Sequence, residues 1–288
     1  MATTIFLVNP REGAVTPPSY LLDTYSATAA YSLRQLKTGV TSVVRVRRSS
    51  DNREENFTAT EITDGTLTGF CGGGDGFVVE WIDQSGSGNT ITQSTAGNQP
   101  RLVASGVVQV FGNGYGVNFN VAAGLQYLSL GSGLSALSSE PFTWFAPTKG
   151  TSTGVYSVIF NTGSGATANS RFQTYLAVKS SGTVSTLTKN TSGTSYSIAP
   201  TALTASQEYL RSQVVDSSKG IEDFVDGSSI GTVTFTGSYV NDVFQVGANT
   251  NLSQECTGVI PELIIFGTDE SANRTDIETD INGYYSIY

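Results

Sequence analysis

Residues 221–235, IEDFVDGSSIGTVTF, carry the pattern that decides the fold class. Two runs rich in β-branched and aromatic residues flank the dipeptide Asp226-Gly227. A two-residue hairpin turn of type I′ needs a positive φ at both central residues, and Asp-Gly adopts that conformation readily. The segment therefore predicts a β-hairpin of two antiparallel strands.

Short runs of the same kind recur along most of the chain, with Gly, Ser and Asn between them. Many short strands joined by turn residues are typical of an all-β sandwich. The hydrophobic fraction of 38% supplies enough apolar side chains for a core. The other predicted runs lie at 40–48, 77–82, 101–111, 125–130, 142–146, 156–160, 172–178, 183–187, 209–215, 243–246 and 259–266.

Two segments depart from the strand pattern and predict a short helix near each end. After Ser19, apolar residues recur at helical spacing up to Gly39, which predicts an amphipathic helix. Near the C-terminus, Thr275 and Glu278 have the spacing of a capping box, with Thr275 as N-cap. The apolar positions are Leu22, Tyr25, Ala29, Leu33 and Leu36 in the first helix and Ile277, Ile281, Tyr284 and Tyr285 in the second.

Residues 1–18 predict an extended arm ahead of a single domain at 19–288. Pro10, Pro17 and Pro18 disfavour a helix there. The apolar run at 5–8 is too short for a signal peptide and no basic residue precedes it, so we expect synthesis in a cytoplasm without export. No stretch approaches the length of a membrane span.

The composition of the 288 residues excludes several function classes. The chain has no histidine, which excludes a Ser-His-Asp triad and a histidine-ligated metal. Two cysteines, Cys71 and Cys256, cannot form a four-cysteine site and are expected to be free buried thiols. The net charge of −9 argues against nucleic acid as a ligand. We expect no cofactor and no metal.

The segment that follows Trp81 has two interpretations. As a function, a polar Gly-rich loop offering Asp83, Gln84 and Asn89 beside Trp81 resembles a sugar or calcium site. As structure, Asp83 and Asn89 hydrogen-bond to the amides of a tight turn. The structural interpretation is favoured, and carbohydrate binding by these four residues is the functional alternative.

Many of the few basic residues lie before residue 54: Arg45, Arg47, Arg48 and Arg53, together with Arg34 and Lys37. One interpretation is a docking face for an acidic partner surface, and the other is an ordinary solvated strand. Carboxylates show the opposite bias, because residues 141–207 contain no Asp or Glu. A glycosidase needs two carboxylates close together, so this interval counts against that chemistry.

Four stretches resemble a known family: 22–26 (LDTYS), 44–52 (VRVRRSSDN), 81–89 (WIDQSGSGN) and 99–101 (QPR). They are similar to the catalytic domain of α-L-arabinofuranosidase B and, more closely, to related domains of bacteriophage virion proteins. Residues 221–231 and 258–285 resemble laminin-G and concanavalin A-like lectin domains. The resemblance implies a concanavalin A-like jelly-roll sandwich of two antiparallel sheets.

The resemblance does not imply that the family's catalytic activity is present in this chain. Asn249 aligns with the acid/base aspartate of the family, and an amide cannot deliver a proton to a leaving group. The family's nucleophilic glutamate would lie in the carboxylate-free interval. We therefore expect a non-enzymatic, homo-oligomeric bacteriophage virion protein whose arm contacts other virion proteins and which contacts host glycans. The alternatives are a carbohydrate-binding module and an arabinofuranosidase-like hydrolase.

Overall fold

The computed structural model describes residues 19–119, 125–150, 157–163, 171–175, 186–189, 195–198, 203–234, 240–249 and 254–288. Side chains in the three short segments between 171 and 197 are not described. The predicted arm at 1–18 lies outside these residues, so its extended form stays a prediction.

The described chain consists mainly of antiparallel strands, with four α-helices. The helices are α1 (Leu21–Thr24), α2 (Ala59–Thr63), α3 (Thr66–Cys71) and α4 (Arg274–Tyr285). The strands are β1 (Ala29–Ser32), β2 (Val44–Arg48), β3 (Glu54–Phe57), β4 (Gly76–Trp81), β5 (Ile91–Thr92), β6 (Arg101–Ala104), β7 (Val107–Val108), β8 (Val110–Phe111), β9 (Gly114–Tyr115), β10 (Val117–Asn118), β11 (Leu128–Ser129), β12 (Phe142–Gly150), β13 (Val158–Thr162), β14 (Arg171–Tyr175), β15 (Thr186–Lys189), β16 (Ser195–Ile198), β17 (Glu208–Asp216), β18 (Gly220–Val225), β19 (Ser228–Val233), β20 (Phe244–Val246), β21 (Gly258–Ile260) and β22 (Glu262–Phe266).

The strands form two layers of antiparallel sheet. The first layer runs in the order β1–β22–β12–β17–β18–β19. The second runs β3–β2–β4–β5–β11–β20–β13–β14–β15–β16. Strands β6, β10 and β21 connect β4 of the second layer to β12 of the first. The predicted all-β jelly-roll sandwich is confirmed.

Aromatic side chains from the two layers meet in the core between them. Trp144 of β12 contacts Phe160 of β13 edge to face, with ring centroids 5.5 Å apart. Tyr31 of β1 stacks on Phe244 of β20 at 6.4 Å. All four side chains are fully buried, and large aromatic areas of this kind contribute strongly to core stability.

The hairpin predicted at 221–235 is present. Strand β18 pairs with β19, and Asp226 and Gly227 between them have φ values of 49° and 75°. Both values are positive, as a type I′ turn requires. The local sequence is therefore sufficient to explain this hairpin.

The predicted N-terminal helix is wrong in its extent. Helix α1 has only four residues, and Ala29–Ser32 form strand β1, paired with β22. All four residues of β1 are buried, so the strand lacks the polar alternation that normally distinguishes a strand from a helix. The apolar spacing across 22–36 comes from a helical turn followed by a doubly buried strand.

The predicted C-terminal helix is confirmed, but its predicted cap is wrong. Helix α4 begins at Arg274 with Asn273 as N-cap and without a side-chain cap bond. Glu278 accepts hydrogen bonds from Arg274 and Ser212 and does not turn back to Thr275. A capping box does form at Thr58 and Glu61, where it begins α2, a helix that the sequence interpretation missed.

Both cysteines are free and buried, as expected. Burial raises the pKa of Cys71 to about 11 and that of Cys256 to about 12. The reactive form of a thiol is the thiolate, which is scarce this far below the pKa. Neither thiol is a candidate nucleophile at neutral pH.

Candidate functional site

One face of the second layer carries a row of polar side chains from seven adjacent strands. Each of these residues lies directly opposite the next in the strand register, and residues that face each other across antiparallel strands project from the same side. In order from β3 to β13, this polar row is Asn56, Arg45, Glu80, Thr92, Ser129, Gln245 and Asn161.

The row faces away from the core. Adjacent residues in the same strands project to the opposite side, and there they are fully buried: Trp81, Ile91, Leu128, Val246 and Phe160. Six strand-to-strand spacings of about 4.8 Å give the row a length of roughly 29 Å. The geometry is that of an extended polar surface laid across the strands.

The side chains of the row are less exposed at its β13 end than at its β3 end. Asn56 and Thr92 are exposed, and the residues between them are half-buried. At the other end, Gln245 is 5% exposed and Asn161 is fully buried. The row therefore begins at an open surface on β3 and ends at buried amides on β20 and β13.

The buried end contains an unused hydrogen-bond acceptor. Asn161 Nδ2 is 3.4 Å from the carbonyl of Gly163, but Asn161 Oδ1 has no partner in the described part of the chain. Gln245 Nε2 donates to the carbonyl of Asn249 at 3.2 Å. Leaving a buried polar atom unpaired costs about 1–3 kcal/mol, so Asn161 Oδ1 is a favourable acceptor for a buried water.

Charge in the row is confined to its open half. Arg45 Nε lies 3.0 Å from Glu54 Oε2, and Arg45 Nη1 lies 3.8 Å from Glu80 Oε1. The remaining half, from Thr92 to Asn161, consists of hydroxyl and amide groups. Such groups both donate and accept hydrogen bonds, which suits a neutral, hydroxyl-rich ligand.

The loop after Trp81 is a turn held by Asp83. The carboxylate accepts hydrogen bonds from the backbone amides of Ala30, Ser85 and Asn89, each at 2.9 Å. Asn89 Nδ2 donates to the carbonyl of Thr28 at 2.9 Å. The structural interpretation therefore accounts for these contacts, and carbohydrate binding by the half-buried Asp83 and Asn89 stays a prediction.

Trp81 and Gln84 do not offer the surface that the functional interpretation requires. Trp81 is fully buried, and its ring lies 5.9 Å from that of Tyr31. Gln84 is 1% exposed; its amide donates to the carbonyl of Ser32 and accepts from the amide of Leu36. The predicted sugar contact by these two residues is wrong, because both side chains are buried in the interior.

The three arginines of β2 differ in how deeply they are buried. Arg47 is 9% exposed, donates to Gln99 Oε1 and Asn52 Oδ1 at 2.7 Å each, and lies over the Phe77 ring. Its predicted role in docking is wrong, because its guanidinium is used inside the fold. Arg45 and Arg48 stay half-buried beside carboxylates, Arg48 at 2.7 Å from Asp51, and docking by them stays a prediction.

Asn249, the residue aligned with the family's acid/base position, is fully buried close to the polar row. Its backbone amide donates to the carbonyl of Gln254, and its Oδ1 accepts from the Gln254 amide at 3.1 Å. Within the described ranges, no group of three metal-ligating side chains occurs. No helix in those ranges has the length and apolar character needed to cross a membrane.

No protein-family model and no curated protein sequence matches the chain. Among solved structures, it is similar to a GH54 α-L-arabinofuranosidase with a cyclic sulfate inhibitor, at TM-score 0.63 and 14% identity. An arabinofuranosidase complexed with arabinofuranosyl-α-1,2-xylobiose matches with the same TM-score and identity. Each match covers 90% of this chain and 63% of the other, so the chain spans less than two thirds of those proteins.

A smaller module matches over part of the chain. The CBM40 of a Ruminococcus gnavus sialidase, bound to α2,3-sialyllactose, covers 55% of this chain at 17% identity, with a TM-score of 0.46.

These comparisons contradict the prediction that the chain is not an enzyme, because the structures that match nine tenths of it are glycosidases. The prediction rested on Asn249 and on the carboxylate-free interval. An aligned position does not establish which carboxylates a fold brings together, and much of 141–207 lies outside the described residues. Over 90% of its length, the chain has the β-sandwich fold of the arabinofuranosidases.

Proposed function

We propose that the chain binds neutral carbohydrate along the polar row. The observation that carries the proposal is the uncharged half of the row, in which Thr92 is exposed and Ser129 is half-buried. In ligand-binding sites, a small number of precisely placed polar groups fix the orientation of the ligand. Hydroxyl groups of a sugar can pair with the exposed Thr92 and the half-buried Ser129, and the two buried amides mark the closed end of the row.

The ligand class we propose is a glycan that carries α-L-arabinofuranosyl groups. The support for this choice is the arabinofuranosyl-xylobiose complex among the similar structures. A row of roughly 29 Å is long enough for an oligosaccharide and much longer than one sugar. Hydrolysis of the same glycan is the second candidate activity, favoured by the match of 90% of the chain to arabinofuranosidases.

Replacing Thr92 by Val is expected to weaken glycan binding by about three- to tenfold, the value of one neutral hydrogen bond. Thr92 is exposed, and the substitution removes its hydroxyl while keeping its shape. The measurement is calorimetric titration with an arabinofuranosyl-xylooligosaccharide, after a glycan array has identified the best ligand.

The matched control is Thr232→Val, the same change at an exposed strand position in the first layer. Equal affinity losses in the two variants, or no binding by the unaltered chain to any neutral glycan, would contradict the proposal. Turnover of 4-nitrophenyl α-L-arabinofuranoside, measured on the same samples, tests the hydrolase candidate separately.

We also propose that the chain is a component of a bacteriophage particle, synthesised in the host cytoplasm and assembled through residues 1–18. The support is the resemblance of stretches 44–52 and 81–89 to domains of virion proteins. Mass spectrometry of purified particles from the encoding genome is expected to detect the chain at a stoichiometry of several copies. Its absence from intact particles would refute this proposal.

A further inference from the structure

An uncharged groove lies between helices α2 and α3 and the strands that follow β6. Its volume is about 330 Å³. Ile62, Thr63 and Thr68 line one wall, and Val107, Val110 and Tyr115 line the other. None of the lining residues is charged, and none belongs to the polar row.

Strand β7 presents a free edge to this groove. In the described part of the chain, β7 pairs with β6 alone. The turn between them contains Ser105 and Gly106, both with positive φ, so the two residues flanking it, Ala104 and Val107, form a hydrogen-bonded pair. The next such pair is formed by Gln109, whose amide donates to the carbonyl of Leu102 at 2.8 Å. The N–H and C=O of Val108 therefore point away from β6.

The groove also carries two of the most exposed large apolar side chains in the described chain. Val107 is 66% exposed and Val110 is 55% exposed. An uncovered edge strand beside exposed valines is a surface that native proteins normally cover or use for strand addition. The site therefore has the two properties required for binding an extended apolar peptide.

We infer that the occupant is residues 3–8, TTIFLV, of a second copy of this chain. The run is uncharged, as the groove is, and it is rich in residues favoured in strands. In an extended conformation, Ile5 and Leu7 project to one side, so both can enter the groove while the backbone pairs with Val108. This is strand addition with apolar anchors at alternate positions.

The linker between this run and the folded domain favours binding to a neighbouring copy over binding within the same chain. Residues 9–18 include Pro10, Pro17 and Pro18, and prolines keep a linker extended and semi-rigid. A semi-rigid linker of ten residues makes folding back onto its own domain less favourable than reaching a neighbouring copy. The inference deepens the particle proposal and rests on it, because it identifies the surface that receives the arm.

The test uses two full-length variants with complementary defects. Leu7→Asp disables the arm, and Val107→Asp disables the groove at an exposed position where a charge should leave the fold intact. Thr16→Asp, in the arm but outside the apolar run, is the control. Sedimentation velocity and native mass spectrometry measure assembly, and circular dichroism verifies folding.

We expect the unaltered chain and Thr16→Asp to self-associate, and each defective variant to associate at least tenfold more weakly. A mixture of the two defective variants should form a mixed dimer, because one intact arm meets one intact groove. A monomeric unaltered chain, or a mixture that stays monomeric, would overturn the inference. A monomeric chain that is nevertheless found in particles would refute the inference and leave the particle proposal standing.

Discussion

Replacing Asp223 by Ala is expected to lower the free energy of unfolding by about 3–5 kcal/mol. Asp223 and Arg211 lie on adjacent strands, β18 and β17, and both side chains are fully buried. Arg211 Nη2 donates to both carboxylate oxygens, at 2.7 and 2.9 Å. Removing the carboxylate leaves the buried guanidinium charge without this counter-ion. Water cannot reach the charge to compensate for the loss.

The control is an ion pair on the surface. Lys219 and Asp269 are 2.5 Å apart, but the Lys219 side chain is 63% exposed. Lys219→Ala should therefore change the free energy of unfolding by only about 0–1 kcal/mol. The double variant Arg211→Met/Asp223→Leu removes both buried charges and should recover most of the loss. Chemical denaturation measures all four proteins, and a loss below about 1 kcal/mol for Asp223→Ala would contradict the prediction.

Replacing Asp83 by Ala is expected to cost about 2–4 kcal/mol of stability, since several donors lose a charged acceptor. Asp83 Oδ1 accepts from the amides of Ala30 and Ser85, and Oδ2 accepts from Asn89 and from the Ser85 hydroxyl. The bond to Ala30 joins the loop to strand β1, so the substitution loosens both. Asp83→Asn keeps one oxygen and should lose about half as much.

Thermal and chemical denaturation test the Asp83 prediction, with Glu55→Ala as the control. Glu55 is exposed and its nearest ion-pair atom lies 3.8 Å away on Arg53, so its replacement should cost at most about 0.5 kcal/mol. The opposite outcome is informative. An Asp83→Ala protein with unchanged stability and lost glycan binding would move the sugar site to this loop.

The parts of the fold that are specified by neighbouring residues could be predicted. The Asp226-Gly227 hairpin and the apolar stripe of α4 depend on local turn chemistry and on one helical face. Strand β1 could not be separated from a helix, because burial on both sides removes alternation. Helix α2 was missed although Thr58 and Glu61 carry its capping box, since five residues are too few for a periodicity to appear.

The candidate site could not be predicted from the sequence for a different reason. Thr92, Ser129 and Gln245 each alternate with core residues in their own strands. This alternation predicts that each strand has a polar side, but it does not predict which strands lie next to each other. They come together only through the register of β5, β11 and β20. Trp81 shows the opposite kind of error. Because it precedes a polar loop in the sequence, it was expected to contact a ligand, but in β4 its ring points into the core.

The pairing of β1 with β22 has a consequence for synthesis of the chain. Ser32 Oγ donates to Glu262 Oε2 across a separation of 230 residues, and Ala29 lies opposite Ile265. A ribosome must therefore synthesise some 230 further residues after Ser32 before β1 can acquire its partner. Contacts of such long range slow folding, and the unpaired early strands stay exposed to other molecules in the meantime. A chaperone that holds the nascent N-terminal half would act on this interval between translation of β1 and translation of β22.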